Sequence, residues 1–366
     1  MIQIFHIADL HLGLHFRNHP EAQETLAEAR YRTLQKVVNL ANERKANILA
    51  IAGDLFDRTG MQVGEIQKTV QAVNQFEGNV VLVLPGNHDY ITADSSLWDR
   101  FKKEAKDHVV VLDKNEPFDL SGFGLEAVVY PGPCRSKHSS ENAIGWVSEI
   151  EKDPSLLHIG IAHGSIKGVS PDFDQQYFPM TVNELKTAGV DIWLMGHTHI
   201  TWPEKPDKND IIFNPGTLEP DGFDCKHEGR AFLHTIDDQK KISSEILSTG
   251  TYRFVQENEQ INSPSDLEQL LKKYEDPTFN HTVLDLTVTG KLDPDVYETW
   301  KQQRQNLRDA VLELKLNDTG VRRKVTAEQI HKEFPEGSFP QLLLSSLSDS
   351  EDELQMAYEL IREVQS

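Results

Sequence analysis

Cysteine is scarce in this sequence of 366 residues: only Cys134 and Cys225 occur, far apart and in no spacing typical of metal binding. A disulfide framework is therefore excluded, and we expect the protein in a reducing, cytoplasmic compartment. Long apolar runs are also missing, since none approaches the roughly 20 residues that cross a bilayer. The N-terminal segment lacks the basic region and cleavage site of a signal peptide, so we expect no membrane association.

Positively charged residues are also few relative to negatively charged ones. The 37 Lys and Arg residues stand against 58 Asp and Glu residues, which gives a formal net charge of -21. This balance argues against a protein that binds nucleic acid through a broad basic face. Phosphate binding through metal ions remains open, because a bound cation dominates its local field whatever the global charge.

Short apolar runs alternate with amphipathic stretches in the first two thirds of the chain. The stretch 21–44 has apolar residues near helical spacing and predicts a helix. The apolar runs have the length and β-branched content of buried strands, and they fall at 2–8, 48–52, 80–84, 158–162 and 192–195. This alternation predicts a layered α/β domain.

The pattern of alternating apolar runs and amphipathic stretches ends near residue 245, where the sequence becomes polar. We expect an α/β domain over residues 1–245, followed by a polar linker over 246–262. A small α/β domain is expected over 263–347 and a C-terminal helix over 348–366. Within 263–347, an alternating strand, an amphipathic helix and a second alternating strand predict a β-α-β unit. The C-terminal helix either packs on its own domain or binds a partner, and the first reading is favoured.

A polar motif directly follows each of the five apolar runs. Ligands of open α/β sheets bind at the carboxyl ends of strands, so five loops are expected to converge on one edge. Carboxylate, imidazole and amide oxygen are ligands suited to Mn, Fe or Zn. A lone buried histidine is more often a core residue, but five such motifs together indicate a metal centre. The motifs are Asp9-Leu10-His11, Gly53-Asp54-Leu55-Phe56-Asp57-Arg58, Gly86-Asn87-His88-Asp89, His163-Gly164 and Gly196-His197-Thr198-His199.

Read in order, these motifs resemble the five-motif signature of the calcineurin-like metallophosphoesterases over roughly residues 1–220. The form Asp9-Leu10-His11-Leu12-Gly13 resembles the SbcD-type nuclease subunits of DNA double-strand-break repair. Residues 334–339 are similar to a segment of shorter bacterial DNA-repair exonuclease homologues. The resemblance implies a layered β-sandwich flanked by helices, with the small α/β domain as a capping domain.

The same resemblance implies a centre of two divalent metal ions, with manganese favoured and Fe, Zn or Mg as alternatives. The implied ligands of one metal are Asp9, His11, Asp54 and His199. The implied ligands of the other are Asp54, Asn87, His163 and His197, which makes Asp54 the bridge. A metal-bridging hydroxide would attack in line while His88 acts as general acid, and Asp89 would orient neighbouring groups. The roles of Asp57 and Arg58 stay open between a nuclease and a phosphatase pattern.

Three functions are compatible with the sequence. The favoured one is a metal-dependent DNA phosphodiesterase, an exonuclease or endonuclease of DNA repair. The alternative is a phosphatase or phosphodiesterase for small phosphoesters, which the acidic charge favours because small substrates need no basic track. A non-catalytic subunit of a repair complex is the third, and the complete ligand set disfavours it. The resemblance also implies DNA as substrate, an SMC-like (SbcC-like) ATPase partner and a homodimer.

Overall fold

The computed structural model describes residues 1–92, 96–172 and 174–365. The chain divides into two compact units, Met1–Phe254 and Val255–Ser366. None of the helices in the described ranges is long and apolar enough to cross a membrane.

The first unit contains the predicted alternation of strands and helices. Its strands are β1 (Ile2–Ile7), β2 (Ile48–Ala52), β3 (Val80–Leu84), β4 (Val109–Val111), β5 (Phe118–Asp119), β6 (Ala127–Gly132), β7 (Leu157–His163), β8 (Ile192–Gly196), β9 (Ile212–Phe213), β10 (Arg230–Ile236) and β11 (Ile242–Ser248). Its helices are α1 (Gln23–Glu43), α2 (Val63–Val73), α3 (Ser96–Glu104) and α4 (Val182–Thr187). The five apolar runs predicted as strands are β1, β2, β3, β7 and β8, and the predicted first helix is α1.

Two sheets make up the centre of this unit. The six-stranded sheet has the order β11-β10-β1-β2-β3-β4, and the five-stranded sheet has the order β5-β6-β7-β8-β9. Strands β1 to β4 pair in parallel, as do β6 to β9. Because parallel neighbours end at the same edge, the loops after β1, β2 and β3 leave one sheet together, and those after β7 and β8 leave the other together.

Strand β2 shows why the strands read as continuous apolar runs. Ile48, Ala50 and Ala52 pack in a core shared by the inner faces of the two sheets. Leu49 and Ile51 point the other way and pack in the core beneath α1, α2 and α3. All five residues are buried, because a strand covered on both faces has no polar side.

The outer face of the five-stranded sheet is covered in the same manner. Trp193 and Met195 of β8 pack in a third core with Leu185 of α4. The layers are therefore helices, sheet, sheet and helix. This arrangement confirms the predicted layered sandwich flanked by helices.

The second unit contains the predicted β-α-β unit. Its elements are β12 (Arg253–Gln260), which starts just before the unit, α5 (Pro264–Tyr274), β13 (Thr282–Leu292), α6 (Pro294–Asp309), β14 (Glu313–Arg323), α7 (Ala327–Glu333), α8 (Phe339–Ser346) and α9 (Glu351–Gln365). Strands β13 and β14 pair in parallel on either side of α6, in a sheet of order β12-β13-β14. Trp300 and Leu286 are fully buried in its core.

The segment expected to be a polar linker is in large part strand. Strand β12 alternates between more buried and exposed residues, and its exposed positions carry the polar side chains that gave the segment a loop-like composition. The last helix, α9, runs from residue 351 to 365. Its Leu354 packs with Leu344 and Phe334, so it packs on its own unit.

Candidate metal centre

The site is built from the loops that follow β1, β2, β3, β7 and β8. Hydrogen bonds between backbone and side-chain groups join the edges of the two sheets at this point. The N–H of His197 donates to both carboxylate oxygens of Asp9, at 2.9 and 3.0 Å. His163 Nδ1 lies 2.9 Å from the carbonyl oxygen of Ala52 and donates to it. These bonds cross from one sheet to the other and bring the five motifs together.

The side chains at this edge are polar and nevertheless buried. Asp9 and His163 are fully buried, and Asp54 and Asn87 are each 1% exposed. Burying polar groups is unfavourable unless each one finds a partner or a metal. A cluster of carboxylate, amide and imidazole groups in such a place fits a ligand set.

One half of the cluster contains Asp9, His11 and His199, whose ligand atoms all lie within 4.8 Å of one another. His11 Nε2 lies 3.1 Å from His199 Nε2. The same nitrogen of His11 lies 3.6 Å from Asp54 Oδ2. Two imidazoles and two carboxylates therefore face a common point.

The other half centres on Asn87. Its Oδ1 lies 2.9 Å from His163 Nε2 and 3.0 Å from His197 Nδ1. Asp54 Oδ2 lies 3.3 Å from His163 Nε2, and ligand atoms of Asp9, Asp54 and His163 fall within 4.8 Å of one another. Because the Nδ1–H of His163 donates to Ala52, Nε2 is the nitrogen that would bind a metal once its own proton is displaced.

All seven side chains predicted as ligands thus meet in one cluster, and Asp54 lies between its two halves. The same Oδ2 atom of Asp54 faces His11 on one side and His163 on the other. The family resemblance implies a bridging role for Asp54, and that role stays a prediction.

Four of the predicted ligands have a left-handed backbone. The φ angles are 54° at Asp9, 44° at His11, 50° at Asp54 and 97° at His197. Such conformations cost about 1–3 kcal/mol each for residues other than glycine and cluster at functional sites. The strain is held by neighbouring bonds, among them the His11 N–H to the Asp54 carbonyl at 2.9 Å.

Charge pairing dominates the electrostatics of the cluster. Burial lowers the pKa of His163, but the Asp54 carboxylate outweighs burial and raises this pKa to about 9. Burial also raises the pKa of Asp54, yet the surrounding imidazoles hold it far below its usual range. The site is built to keep Asp54 negatively charged.

His88 stands at the open side of the cluster with a side chain that is 34% exposed. Its backbone N–H donates to Asp54 Oδ1 at 2.8 Å. Its Nδ1 donates to the carbonyl oxygen of Asp57 at 2.9 Å, which leaves Nε2 for a reacting group. The ring meets His11 edge-on, with 4.7 Å between the ring centres.

Asp89 is fully buried and joins two loops. Its carboxylate accepts from the N–H of Gly86 at 2.6 Å and from the N–H of Phe56 at 3.0 Å. Burial, and then the charge of Asp54, raise the pKa of Asp89 to about 8 although both backbone bonds lower it. Its contacts are those of a residue that holds the loops after β2 and β3 in register.

The structure gives different surroundings to Asp57 and Arg58, whose roles the sequence left open. Asp57 Oδ1 lies 3.6 Å from His11 Nδ1 and 3.9 Å from His88 Nδ1, so these three residues form a further group of potential ligands. Arg58 instead donates to the carbonyl oxygen of Gly13 and ties two loops together. Asp57 therefore belongs to the site, whereas Arg58 supports it.

Sequence reasoning missed two residues that touch the cluster. Asp221 Oδ2 accepts from His199 Nδ1 at 2.8 Å, and this bond raises the pKa of His199 to about 9 against the effect of burial. The ring of Tyr177 lies 4.9 Å from the ring of His197. Neither residue lies in a motif or at a strand end, so no local pattern could have marked them.

A cavity of about 560 Å³ opens onto the cluster. Asn87, His88, His197 and His199 form part of its wall. None of the described residues that line it is Lys or Arg. The remaining described lining residues include three carboxylates and are Ser170, Pro171, Asp172, Tyr177, Thr198, Ile200, Asp221, Gly222, Asp224 and Cys225.

Comparison with known proteins identifies the family. A profile described as Calcineurin-like phosphoesterase matches residues 2–201, from β1 through the last histidine of the cluster. This chain belongs to that family. The family and fold class expected from the motifs are therefore confirmed.

Individual relatives of this phosphoesterase are distant. It is 24% identical over 209 residues to the uncharacterized metallophosphoesterase YhaO of Bacillus subtilis (strain 168), covering 54% of this chain and 48% of that protein. It is 27% identical over 230 residues to the DNA double-strand break repair protein Mre11 of Archaeoglobus fulgidus, covering 58% of this chain and 49% of that protein. The chain thus spans about half the length of these relatives.

Among solved structures, TT1561 of Thermus thermophilus is similar at 13% identity and a TM-score of 0.42, over 67% of this chain and 98% of that chain. The family uses two metal ions, and the donors of this phosphoesterase suit them. Carboxylate, amide oxygen and imidazole nitrogen make up the cluster, and His163 directs its Nε2 toward Asn87 and Asp54 within it.

Proposed function

We propose that this phosphoesterase cleaves the phosphodiester bonds of DNA, as an exonuclease or endonuclease of DNA repair, with two divalent metal ions and manganese as the favoured metal. The observation that carries the proposal is the position of Asp54, whose Oδ2 lies between His11 and His163 in the two halves of the cluster. The similarity to Mre11 supports DNA as the substrate.

The proposed ligands are those expected from the sequence. One metal would bind to Asp9, His11, Asp54 and His199, and the other to Asp54, Asn87, His163 and His197. When bound, two such ions polarise the phosphoryl oxygens and lower the pKa of water in an in-line displacement. The left-handed backbone of four of these residues presets the ligand positions before substrate arrives.

His88 is the proposed general acid. The Asp57 carbonyl fixes its Nδ1–H, so its Nε2 faces the open side of the cluster and can give a proton to the leaving oxygen. Asp57 Oδ1 lies 3.9 Å from the same Nδ1. Asp89 holds the loop that carries His88.

Further parts of the proposal concern the whole protein. We propose the second unit as a capping domain, an SMC-like (SbcC-like) ATPase as a partner, and a homodimer as the assembly. These proposals come from the resemblance of the motifs, with distant similarity to Mre11 as their support.

A second candidate is the hydrolysis of small phosphoesters, and one observation favours it. The cavity is lined by the carboxylates of Asp172, Asp221 and Asp224 and by no Lys or Arg among its described residues. A long polyanion such as DNA gains little electrostatic binding energy from an acidic cavity, whereas a small phosphoester can bind through the metal ions alone.

The deciding experiment is cleavage of end-labelled duplex and single-stranded DNA with Mn²⁺, alongside a chromogenic phosphodiester and phosphomonoester. Asp54→Asn is expected to abolish every activity because it weakens both metal sites. Asp107→Asn, at an exposed carboxylate, is the matched control and should cleave like the wild type. Turnover of the small esters without any cut in DNA would select the second candidate and reject the nuclease.

A further inference from the structure

Arg30 is a buried guanidinium that no motif includes. It lies on α1, and its side chain is 1% exposed. Its Nη1 donates to the carbonyl oxygen of Leu10 at 2.6 Å. Leu10 stands between Asp9 and His11, so this bond holds the peptide that joins two candidate ligands.

The other end of the same guanidinium faces the loop between β9 and β10. Nη2 donates to the carbonyl oxygen of Glu219 at 3.3 Å and lies 3.9 Å from Asp221 Oδ2. That carboxylate oxygen accepts from His199 Nδ1 at 2.8 Å. A continuous series of contacts therefore runs from the Leu10 peptide through Arg30 and Asp221 to His199.

This series directly contacts the proposed ligands of only one of the two metals. Asp9, His11 and His199 are the three residues whose ligand atoms group together on that side. Within the described residues, Arg30 and Asp221 make no hydrogen bond to the imidazoles of the other half, where the His163 ring donates to the Ala52 carbonyl and the His197 ring contacts Asn87. The backbone N–H of His197 donates to Asp9, and this bond links the two halves.

Each contact has a physical effect on ligand geometry. Asp9 and His11 both have a left-handed backbone, and a bond from a charged donor to the carbonyl between them stabilises that strained turn. The bond from His199 Nδ1 to Asp221 fixes the tautomer, so Nε2 is the nitrogen directed to the metal. Both effects orient ligands of the same ion.

We propose that Arg30 and Asp221 are positioning residues that assemble one of the two metal sites, the one formed by Asp9, His11 and His199, and leave the other unaffected. The inference rests on the proposed dinuclear centre. It adds that Arg30 and Asp221 contact ligands of one site only, so metal affinity at that site can be lowered while the other site still binds its ion.

The test is Mn²⁺ binding to the metal-free protein, measured by titration calorimetry and by the electron paramagnetic resonance of the bound ions. Wild type is expected to bind two ions, with a spin-coupled signal. Asp221→Ala is expected to lower the affinity for one of the two ions by about 10- to 100-fold, the range typical when a hydrogen-bond partner of a metal ligand is lost. The second ion should bind as before, with the signal of an isolated Mn²⁺.

Conservative variants separate positioning from folding. Asp221→Asn keeps an acceptor for His199 and is expected to recover part of the lost affinity. Arg30→Gln should reproduce the selective loss, whereas Arg32→Gln on the exposed face of α1 and Glu228→Gln on the Asp221 loop should bind two ions like the wild type. Thermal melting of each metal-free variant checks that it is folded.

Three results would overturn the inference. Asp221→Ala could bind two Mn²⁺ ions with wild-type affinity, or its affinity for both ions could fall equally. The third is a wild-type protein that binds fewer than two ions. DNA cleavage is not a readout here. A wild type that binds two ions but leaves DNA intact would reject the nuclease proposal and leave this inference standing.

Discussion

At the scale of single residues, His88 decides between two readings of the site. Its ring groups with His11 and Asp57 within ligand distance, which is the geometry of a further metal site. Its Nδ1 is already engaged by the Asp57 carbonyl, which instead suits a proton donor with Nε2 toward the cavity. The two readings differ in what the loss of the ring does to metal binding.

We predict that His88→Asn lowers the rate of phosphodiester cleavage by about 10²- to 10⁴-fold, the range for a lost general acid or base. Its backbone N–H still donates to Asp54 in the variant, so the metal ligands keep their support. Both Mn²⁺ ions should bind with unchanged affinity in a calorimetric titration. A loss of one equivalent of metal would contradict this role and make His88 a ligand.

At the scale of elements, the strands must approach closely where they end. A Cβ atom on Gly196, at the end of β8, would lie 1.9 Å from the carbonyl oxygen of Ala52, at the end of β2. That carbonyl also accepts from His163 Nδ1. A Cβ atom on Gly86 would lie 2.2 Å from Asp54 Oδ1. Glycine is required here because backbone and ligands occupy the space.

Gly196→Ala is therefore predicted to lower the free energy of unfolding by about 1–3 kcal/mol, as overpacking does in a rigid core. Metal binding should also weaken, because the displaced Ala52 carbonyl no longer orients His163. Urea denaturation of the metal-free protein measures the first effect. Gly64→Ala, on α2 with open space around the new methyl group, is the control and should be neutral or slightly stabilising.

At the scale of the whole molecule, charge is the property that most constrains a nuclease. The net charge is -21, and the described residues that line the cavity beside the metal cluster include three carboxylates and no Lys or Arg. For the proposed DNA nuclease, this charge predicts that affinity for DNA comes chiefly from contacts at the metal centre.

We predict a shallow dependence of DNA affinity on salt. A protein with 6–10 phosphate contacts loses about 10³–10⁵ in affinity between 50 and 200 mM salt, whereas roughly two contacts at the metals predict about tenfold. Fluorescence anisotropy of labelled duplex with Ca²⁺ in place of Mn²⁺ measures this slope. A steep loss would show that a basic track exists and contradict the argument from charge.

Local sequence patterns were enough to predict the main strands, the first helix and the position of the candidate site. Strand β2 was predictable because a strand covered on both faces is apolar at every position, and α1 because its apolar residues recur at helical spacing. The polar motifs were predictable as a site because each directly follows such a strand. The same reasoning misread β12, whose alternating polar face has the composition of a linker.

Only the tertiary structure brought Asp221 to His199 and Arg30 to Leu10, or showed Asp54 between two halves of one cluster. These contacts join residues far apart in the chain and depend on how two sheets and a helix pack, which leaves no trace in local composition. Sequence determined the residue types and the ends of the strands that carry them. Packing decided which of these groups touch, because close approach of Gly196 to Ala52 sets where the two sheets meet.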